Sequence, residues 1–162
     1  MNERYRVEVT KDSLVFSAGH FITFAGGIIE RLHGHNWRVK VEVEGPLDEN
    51  YYVFDFIALR DDTKAIVDRL DHRLLLPTKS SLIHVAIEGT QAVARFGERF
   101  WSIPADECLL LPVENTTAEL IARWIGGELI QVWSSKGIAI PEVLRVFVEE
   151  NFGQWASWEG RS

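Results

Sequence analysis

The sequence predicts an α+β fold built from antiparallel strands, two helices and a small inserted β-meander. Two observations predict it. Several short runs alternate polar and apolar residues, as strands with one buried face do, and two longer stretches place apolar residues at helical spacing. The chain has 162 residues and shows no repeat, linker or low-complexity tract. We therefore expect residues 1–162 to form one domain with one core.

Strands dominate the first third of the chain. Residues 5–9 alternate and predict a first strand, residues 13–21 predict a second, and residues 38–44 predict a third that ends at a Gly-Pro pair. Residues 24–30 contain two consecutive glycines, which predicts a loop. Residues 51–56 are expected to form a short extended segment.

Two helices follow from the spacing of apolar residues. Residues 57–70 carry them at helical intervals and predict the first helix. The second is predicted to begin with a capping box, in which Thr116 caps the helix and Glu119 reaches back to it. Its apolar face continues to a predicted end near Ser135, before a glycine.

The remaining segments complete the sheet. Turns at Glu88-Gly89 and Phe96-Gly97 predict a small meander between the two helices, and neighbouring strands are expected to pair antiparallel. The predicted strands of this part of the chain are residues 84–89, 92–97, 99–104, 143–149 and 154–159. Residues 108–112 are predicted to form a short buried strand or an extended connector.

Composition narrows the choice of function. The net charge of −7 and the pI near 5.2 argue against a general nucleic-acid or membrane-surface binder. The single cysteine, Cys108, allows no internal disulfide and fits a reducing compartment. We expect no signal peptide, since the first residues lack a basic segment followed by an apolar one, and the sequence has no apolar run of about 18 residues. We therefore expect a cytoplasmic protein with no nucleic-acid or membrane partner.

Three of the five histidines lie within sixteen positions. His33 and His35 are two residues apart in a strand-like run, so their side chains share a face. If residues 13–21 pair with this run as a hairpin, His20 can reach the same face. Three imidazoles leave a tetrahedral metal one open position, as in catalytic zinc sites. The pattern predicts a zinc centre, whereas histidines on a half-exposed strand are the alternative explanation.

Several short motifs, taken together over nearly the whole chain, resemble the 6-pyruvoyl-tetrahydropterin synthase and 6-carboxytetrahydropterin synthase (QueD) family. The motifs are Phe16-Ser17-Ala18-Gly19-His20-Phe21, Leu32-His33-Gly34-His35-Asn36-Trp37, Val53-Phe54-Asp55-Phe56, Leu70-Asp71-His72, Leu111-Pro112, Thr117-Ala118-Glu119 and Val146-Phe147-Val148-Glu149-Glu150. The resemblance implies the tunnelling fold, with two helices on one face of the sheet. It also implies a pterin substrate and a homohexamer made of two trimers, with active sites between subunits.

The resemblance also implies roles for individual residues. His20, His33 and His35 match the zinc ligands. Asp71 and His72 match an acid/base pair in which His72 moves protons and Asp71 fixes its tautomer.

Three further residues match positions that contact the pterin. Glu150 corresponds to the carboxylate that anchors the ring, since a carboxylate can accept two parallel N–H bonds. Glu149 is its neighbour in an alternating strand, so only one of the two can face the pocket. Thr116 and Thr117 lie where pterin-contacting residues are found.

One position departs from the family pattern. The family's catalytic cysteine is replaced by Ile29, which cannot take a proton, and Glu30 follows directly. A type III branch of the family carries a glutamate here and cleaves 7,8-dihydroneopterin triphosphate to 6-hydroxymethyl-7,8-dihydropterin. We expect this zinc-dependent lyase reaction with Glu30 as base. The alternatives are 6-pyruvoyl- or 6-carboxytetrahydropterin formation, or a non-catalytic pterin- or purine-binding module.

Overall fold

The computed structural model describes residues 3–162 and contains two helices and twelve strands. The strands of the first half are β1 (Tyr5–Val9), β2 (Val15–His20), β3 (Thr23–Phe24), β4 (Ile28–Ile29) and β5 (His33–Gly45), followed by helix α1 (Phe56–Leu70). The second half contains β6 (Arg73–Pro77), β7 (His84–Glu88), β8 (Gln91–Phe96), β9 (Arg99–Pro104), β10 (Cys108–Leu111), helix α2 (Ala118–Lys136), β11 (Val143–Asn151) and β12 (Gln154–Arg161). No helix within residues 3–162 has the length and apolar character needed to cross a membrane.

The central sheet is organised around β5, which is 13 residues long. Its first half pairs with β2 and its second half with β1, while β11 pairs along its other side. The strand order is β10-β6-β2-β5-β11-β12, with β1 beside β5. Most pairs are antiparallel as expected, but β6 runs parallel to both β2 and β10. The connections explain this. The inserted meander returns the chain so that β10 runs in the same direction as β6, whereas α1 joins β5 to β6, which runs opposite to β5 and therefore parallel to β2.

Both helices cover one face of this sheet and bury the main core. Phe16 and Trp37 stack with ring centroids 5.6 Å apart at the centre of that face. A hydrogen bond links the two helices: the Asp62 carboxylate of α1 accepts it from Trp133 Nε1 of α2 at 3.1 Å. The opposite face is charged, and there Arg145 pairs with Glu42, Glu44 and Glu159.

The predicted meander is confirmed as the separate three-stranded sheet β7-β8-β9. It lies over a second, smaller cluster of buried side chains that includes Phe21, Leu74, Leu76 and Cys108. Trp101 of β9 stacks on Phe21 at a centroid distance of 4.6 Å, which attaches the meander to the end of β2. Cys108 is thus packed as a small hydrophobic residue.

Three local predictions were wrong. Residues 24–30 are not an open loop, because Ala25 and Gly26 take left-handed conformations that close the β3–β4 hairpin. Residues 51–56 are not extended, since the Asp48 carboxylate accepts the main-chain N–H groups of Asn50 and Tyr52 and folds a turn. Within the same stretch, Asp55 caps α1, which begins at Phe56.

The third correction concerns the start of α2. Thr117, and not Thr116, is the capping residue, and its side chain accepts a hydrogen bond from Leu120 N. Among the described hydrogen bonds, Glu119 makes none back to the cap, so no capping box forms. The helix ends at Lys136, where Gly137 takes the left-handed conformation that commonly follows a helix.

Candidate functional site

The three predicted histidines converge on the helix-facing side of the sheet. β2 and β5 pair so that His20 lies opposite His33 and Ala18 lies opposite His35. Ring centroids are 4.8 Å apart for His20 and His33, 4.7 Å for His33 and His35, and 5.4 Å for His20 and His35. One nitrogen from each ring lies within 4.8 Å of the others, so the set could hold one metal ion.

Main-chain carbonyls set the orientation of two of these rings. His20 Nδ1 lies 2.8 Å from Thr116 O, and His33 Nδ1 lies 2.8 Å from Arg31 O. Because a carbonyl only accepts, each Nδ1 carries the proton and each Nε2 carries the free lone pair. Metal-bound histidines are usually held in this way by the ring nitrogen that does not bind the metal.

The buried atoms of the cluster fit a metal ion. His20 Nε2 and His35 Nε2 are buried without a hydrogen-bond partner among the described residues. Such unpaired polar atoms are costly, and a bound cation would satisfy both. Burial lowers the pKa of His20 to about 4, so its ring is neutral near pH 7, the form that binds a metal.

Glu30 lies directly beside this cluster. It follows β4, its N–H donates to Ile22 O at 2.9 Å, and its carboxylate lies 3.8 Å from His33 Nδ1. The side chain is 39% exposed, which leaves it accessible to a small molecule. Ile29 instead turns into the smaller apolar cluster and is 8% exposed. The chain therefore presents Glu30, and not the residue at the cysteine position, to the histidines.

Glu150 approaches the histidines from β11. Its Oε1 lies 3.6 Å from His35 Nε2. Glu149 points elsewhere, since its Oε1 accepts a hydrogen bond of 2.7 Å from Gly153 N. Glu150 also lines an open cleft of about 400 Å³ on the surface beside α2 and β12. The other residues lining this cleft are Ile22, Thr117, Ala118, Glu119, Gln154, Trp155 and Ala156.

The two threonines at the start of α2 have different surroundings. Thr117 lines the cleft with Glu150. Thr116 is 0% exposed, and its hydroxyl donates to Phe21 O at 3.2 Å. A side chain so enclosed cannot contact a ligand in this chain, so the substrate-binding role predicted for Thr116 is corrected to holding Phe21 and, through its carbonyl, His20.

Asp71 and His72 form a pair, but within one chain the structure does not bring them to the histidine cluster. Asp71 Oδ1 accepts from Ser17 N at 2.7 Å, and Asp71 Oδ2 lies 2.9 Å from His72 Nδ1. The Ser17 N–H and the neighbouring His72 lower the pKa of Asp71. His72 lines a cleft of about 570 Å³, and the other residues lining it include Ser17, Asn36, His33 and His35. Its side chain is 84% exposed.

Two residues beside the site were not predicted from the sequence. Asn115 bonds the β3–β4 hairpin through its side-chain amide, and Trp155 lines the cleft next to Glu150. An asparagine ahead of a helix and a tryptophan in an edge strand are both common features of ordinary domains. Only the pairing of β11 with β12 and the packing of the hairpin against α2 show where they lie.

Residues 8–161 match the 6-pyruvoyl tetrahydropterin synthase family. The chain belongs to this family. It is 29% identical over 146 residues to a protein of Methanocaldococcus jannaschii provisionally named 6-carboxy-5,6,7,8-tetrahydropterin synthase, which covers 90% of this chain and 89% of that protein. A stretch of 46 residues is 44% identical to dihydroneopterin monophosphate aldolase of Pyrococcus furiosus, covering 28% of this chain and 40% of that protein.

A solved member of the family shares the architecture over the full length. The crystal structure of 6-pyruvoyl tetrahydropterin synthase from Plasmodium vivax has a TM-score of 0.88 and 25% identity, and the match covers 99% of this chain and 100% of that one. The fold is therefore the tunnelling fold of the family, as the motifs predicted.

Proposed function

We propose that this protein is a zinc-dependent lyase that cleaves the side chain of 7,8-dihydroneopterin triphosphate and releases 6-hydroxymethyl-7,8-dihydropterin. The observation that carries the proposal is the position of Glu30, a carboxylate 3.8 Å from His33, beside three histidines that converge on one point. Membership of the family supports a pterin substrate, and the position of Glu30 supports the choice of reaction.

The zinc ligands in this proposal are His20, His33 and His35. Three neutral imidazoles are a zinc-binding set that leaves a fourth position open. When bound there, zinc would lower the pKa of a substrate hydroxyl group.

Glu30 serves as the general base. Its carboxylate takes the proton from the hydroxyl on the second side-chain carbon as the bond between the first and second carbons breaks. The second carbon leaves as the aldehyde of the triphosphate-bearing fragment, and the ring-bound first carbon, which receives the electron pair, is then protonated. A positioned base contributes roughly 10²–10⁴-fold to such a step. The Plasmodium vivax synthase, 25% identical to this chain, has been crystallised with alanine in place of a catalytic glutamate.

Glu150 and Thr117 orient the pterin in the cleft beside α2. The Glu150 carboxylate accepts two parallel N–H bonds from the amino-pyrimidinone edge. Glu150 Oε1 also lies 3.6 Å from His35 Nε2. A pterin ring bound to Glu150 therefore has its own reactive side chain close to the three histidines. This is a positioning contribution to the rate.

The proton donor comes from a second copy of the chain in this proposal. His72 is exposed and lies outside the histidine cluster, so it serves a site on a neighbouring subunit. Two observations support assembly: β12 has β11 as its one partner in the described sheet, and β10 ends the sheet on the other side. Open strand edges favour pairing with another chain. We propose a hexamer made of two trimers, with pterin as the only other partner, in the cytoplasm.

A second candidate is 6-carboxytetrahydropterin or 6-pyruvoyl-tetrahydropterin synthesis. The name of the Methanocaldococcus jannaschii relative favours the former. Against it stands Ile29, an apolar residue packed in the smaller cluster at the position of the catalytic cysteine. The aldolase name of the Pyrococcus furiosus relative instead favours cleavage of a pterin side chain.

The deciding experiment is an incubation of the metal-loaded protein with 7,8-dihydroneopterin triphosphate, followed by mass identification of the pterin. We expect the hydroxymethyl product. Glu30→Gln, which keeps the shape and removes the base, is expected to slow its formation by about 10²–10⁴-fold while metal content is unchanged. Glu49→Gln, in an exposed turn, is the matched control. A pyruvoyl or carboxy product contradicts the proposal, and tight binding without turnover indicates a binding module.

A further inference from the structure

The side-chain amide of Asn115 clamps the hairpin that precedes Glu30. Its Nδ2 donates to Thr23 O at 2.9 Å, and its Oδ1 accepts from Thr23 N at 3.3 Å. One side chain therefore pairs with both main-chain groups of a single residue, as a neighbouring strand does in an antiparallel ladder. The same Oδ1 accepts from Thr116 N at 3.1 Å, which fixes the amide itself.

The clamp is connected to Glu30 through two main-chain contacts. Thr23 pairs with Ile29 across the hairpin, and Glu30 N donates to Ile22 O at 2.9 Å. The hairpin has two residues in each strand, which is too short to be stable without support. Its position therefore depends on how it is anchored, and Asn115 supplies two hydrogen bonds that hold Thr23 from the α2 side.

Asn115 also adjoins the residue that orients a metal ligand. Thr116 accepts from His20 Nδ1 at 2.8 Å through its carbonyl and bonds Phe21 O through its hydroxyl. Two consecutive residues ahead of α2 thus hold both His20 and the segment carrying Glu30. Hydrogen bonds to the hairpin before Glu30 and to a proposed metal ligand thus come from one short segment.

We infer that Asn115 is a positioning residue that fixes the Glu30 carboxylate relative to the three histidines. The inference rests on the proposed function, in which Glu30 is the base. Its physical reason is that a displacement of about 1 Å in a reacting group can cost about a hundredfold in rate. Asn115 itself acts through Thr23 and Ile22 and needs no contact with the substrate.

Asn115→Asp tests the inference with almost no change in shape. The carboxylate can still accept from Thr23 N and Thr116 N, but it cannot donate to Thr23 O and it repels that carbonyl. We expect hydrogen exchange of the Glu30 amide to become about tenfold faster, with exchange in β5 unchanged. We expect kcat to fall by about tenfold to a hundredfold, KM to change less than about twofold, and metal content to stay constant.

Two further variants keep the test decisive. Asn115→Ser is neutral and too short to reach Thr23, so it should give the same result without a new charge. Asn50→Asp is the control, since it makes the same chemical change in an exposed turn beyond the far end of β5, roughly 40 Å from the histidines.

The outcomes separate this inference from the proposed function. Faster Glu30 exchange with unaltered kcat would overturn it, and so would unaltered exchange. Unfolding or metal loss in both Asn115 variants would also overturn it, by making Asn115 a residue of general stability. If the wild-type protein turns over no dihydropterin, the proposed function fails, while the exchange measurement still decides whether Asn115 holds the hairpin.

Discussion

Two groups of ionisable side chains lie on either side of strand β2: the three histidines and the Asp71–His72 pair. They differ in how much of the proposed active site a single chain can form with them. The histidine cluster lies on the helix-facing side, and His20 and His33 are oriented by carbonyls of the same chain. The Asp71–His72 pair lines the other side, with the His72 ring 84% exposed. One chain therefore completes the metal-binding part of the proposed site and leaves the proton-transferring part facing outward.

The backbone at His72 supports the view that this exposure has a use. His72 has a φ of 57°, in the left-handed region that non-glycine residues seldom occupy, and its N–H donates to Ser17 O at 2.7 Å. Such conformations cost free energy and are found often at functional sites. The chain holds an exposed ring in a defined place, which is what a residue serving a neighbouring subunit requires.

The largest expected effect is on metal binding, which should depend on the three histidines and not on the Asp71–His72 pair. His35→Ala removes one of three ligands, and we expect metal affinity to fall by more than about a hundredfold, since even indirect contacts to a metal contribute 10–100-fold. His72→Ala should retain the full metal content. Elemental analysis of protein purified without chelators measures both, with the exposed His84→Ala as control. Full metal content in His35→Ala would contradict the assignment of the cluster.

The next effect tests whether the two groups meet between subunits. Glu30→Gln and His72→Ala should each have at most a few per cent of the wild-type activity alone. Hybrid oligomers of the two should regain about a quarter of it, because random mixing reunites the intact residues in that share of sites. The variants are dissociated together, reassembled and assayed. Mixtures that remain inactive, despite hybrid oligomers seen by native mass spectrometry, would show that both residues must belong to one chain.

A third effect concerns stability and pH in the metal-free protein. Burial lowers the pKa of His20 to about 4, whereas the unfolded ring has its ordinary value near 6.5. The unfolded state therefore binds more protons between these values, so stability falls as the pH drops from about 6.5 towards 4. The loss attributable to His20 is at most about 3 kcal/mol.

Urea unfolding at a series of pH values measures this loss. The His20→Gln variant should lose less stability over the same range, because the group that titrates is gone. Equal pH dependence in wild type and His20→Gln would contradict the explanation.

Strand alternation was enough to predict the histidine cluster but not the Asp71–His72 position. His33 and His35 are neighbours on one face of any strand, and a hairpin with residues 13–21 was a local extrapolation that the β2–β5 register confirmed. Asp71 and His72 lie where α1 ends and β6 begins, and the side to which they point depends on the parallel pairing of β6 with β2. Local periodicity carries no information on that pairing.

The start of α2 shows a second limit, at the scale of one residue. Thr116 and Thr117 have equal chemical capacity to cap a helix, so the sequence could not rank them. The choice was made by tertiary packing, because the hydroxyl of Thr116 bonds Phe21 O and leaves Thr117 to cap. The sequence therefore predicted the helix correctly but assigned its cap to Thr116 and not to Thr117.

The smallest expected effect concerns the different surroundings of Thr116 and Thr117. Thr116→Val keeps the shape and removes the hydroxyl, leaving Phe21 O unpaired in a buried place, and we expect a loss of about 1–2 kcal/mol in unfolding free energy with KM nearly unchanged. Thr117→Ser retains the cap but removes a methyl group from the cleft, so it should raise KM by a few-fold with little loss of stability. Chemical denaturation and steady-state kinetics on both variants test the pair. A raised KM in Thr116→Val without a loss of stability would contradict this expectation and would indicate that Thr116 contacts the substrate.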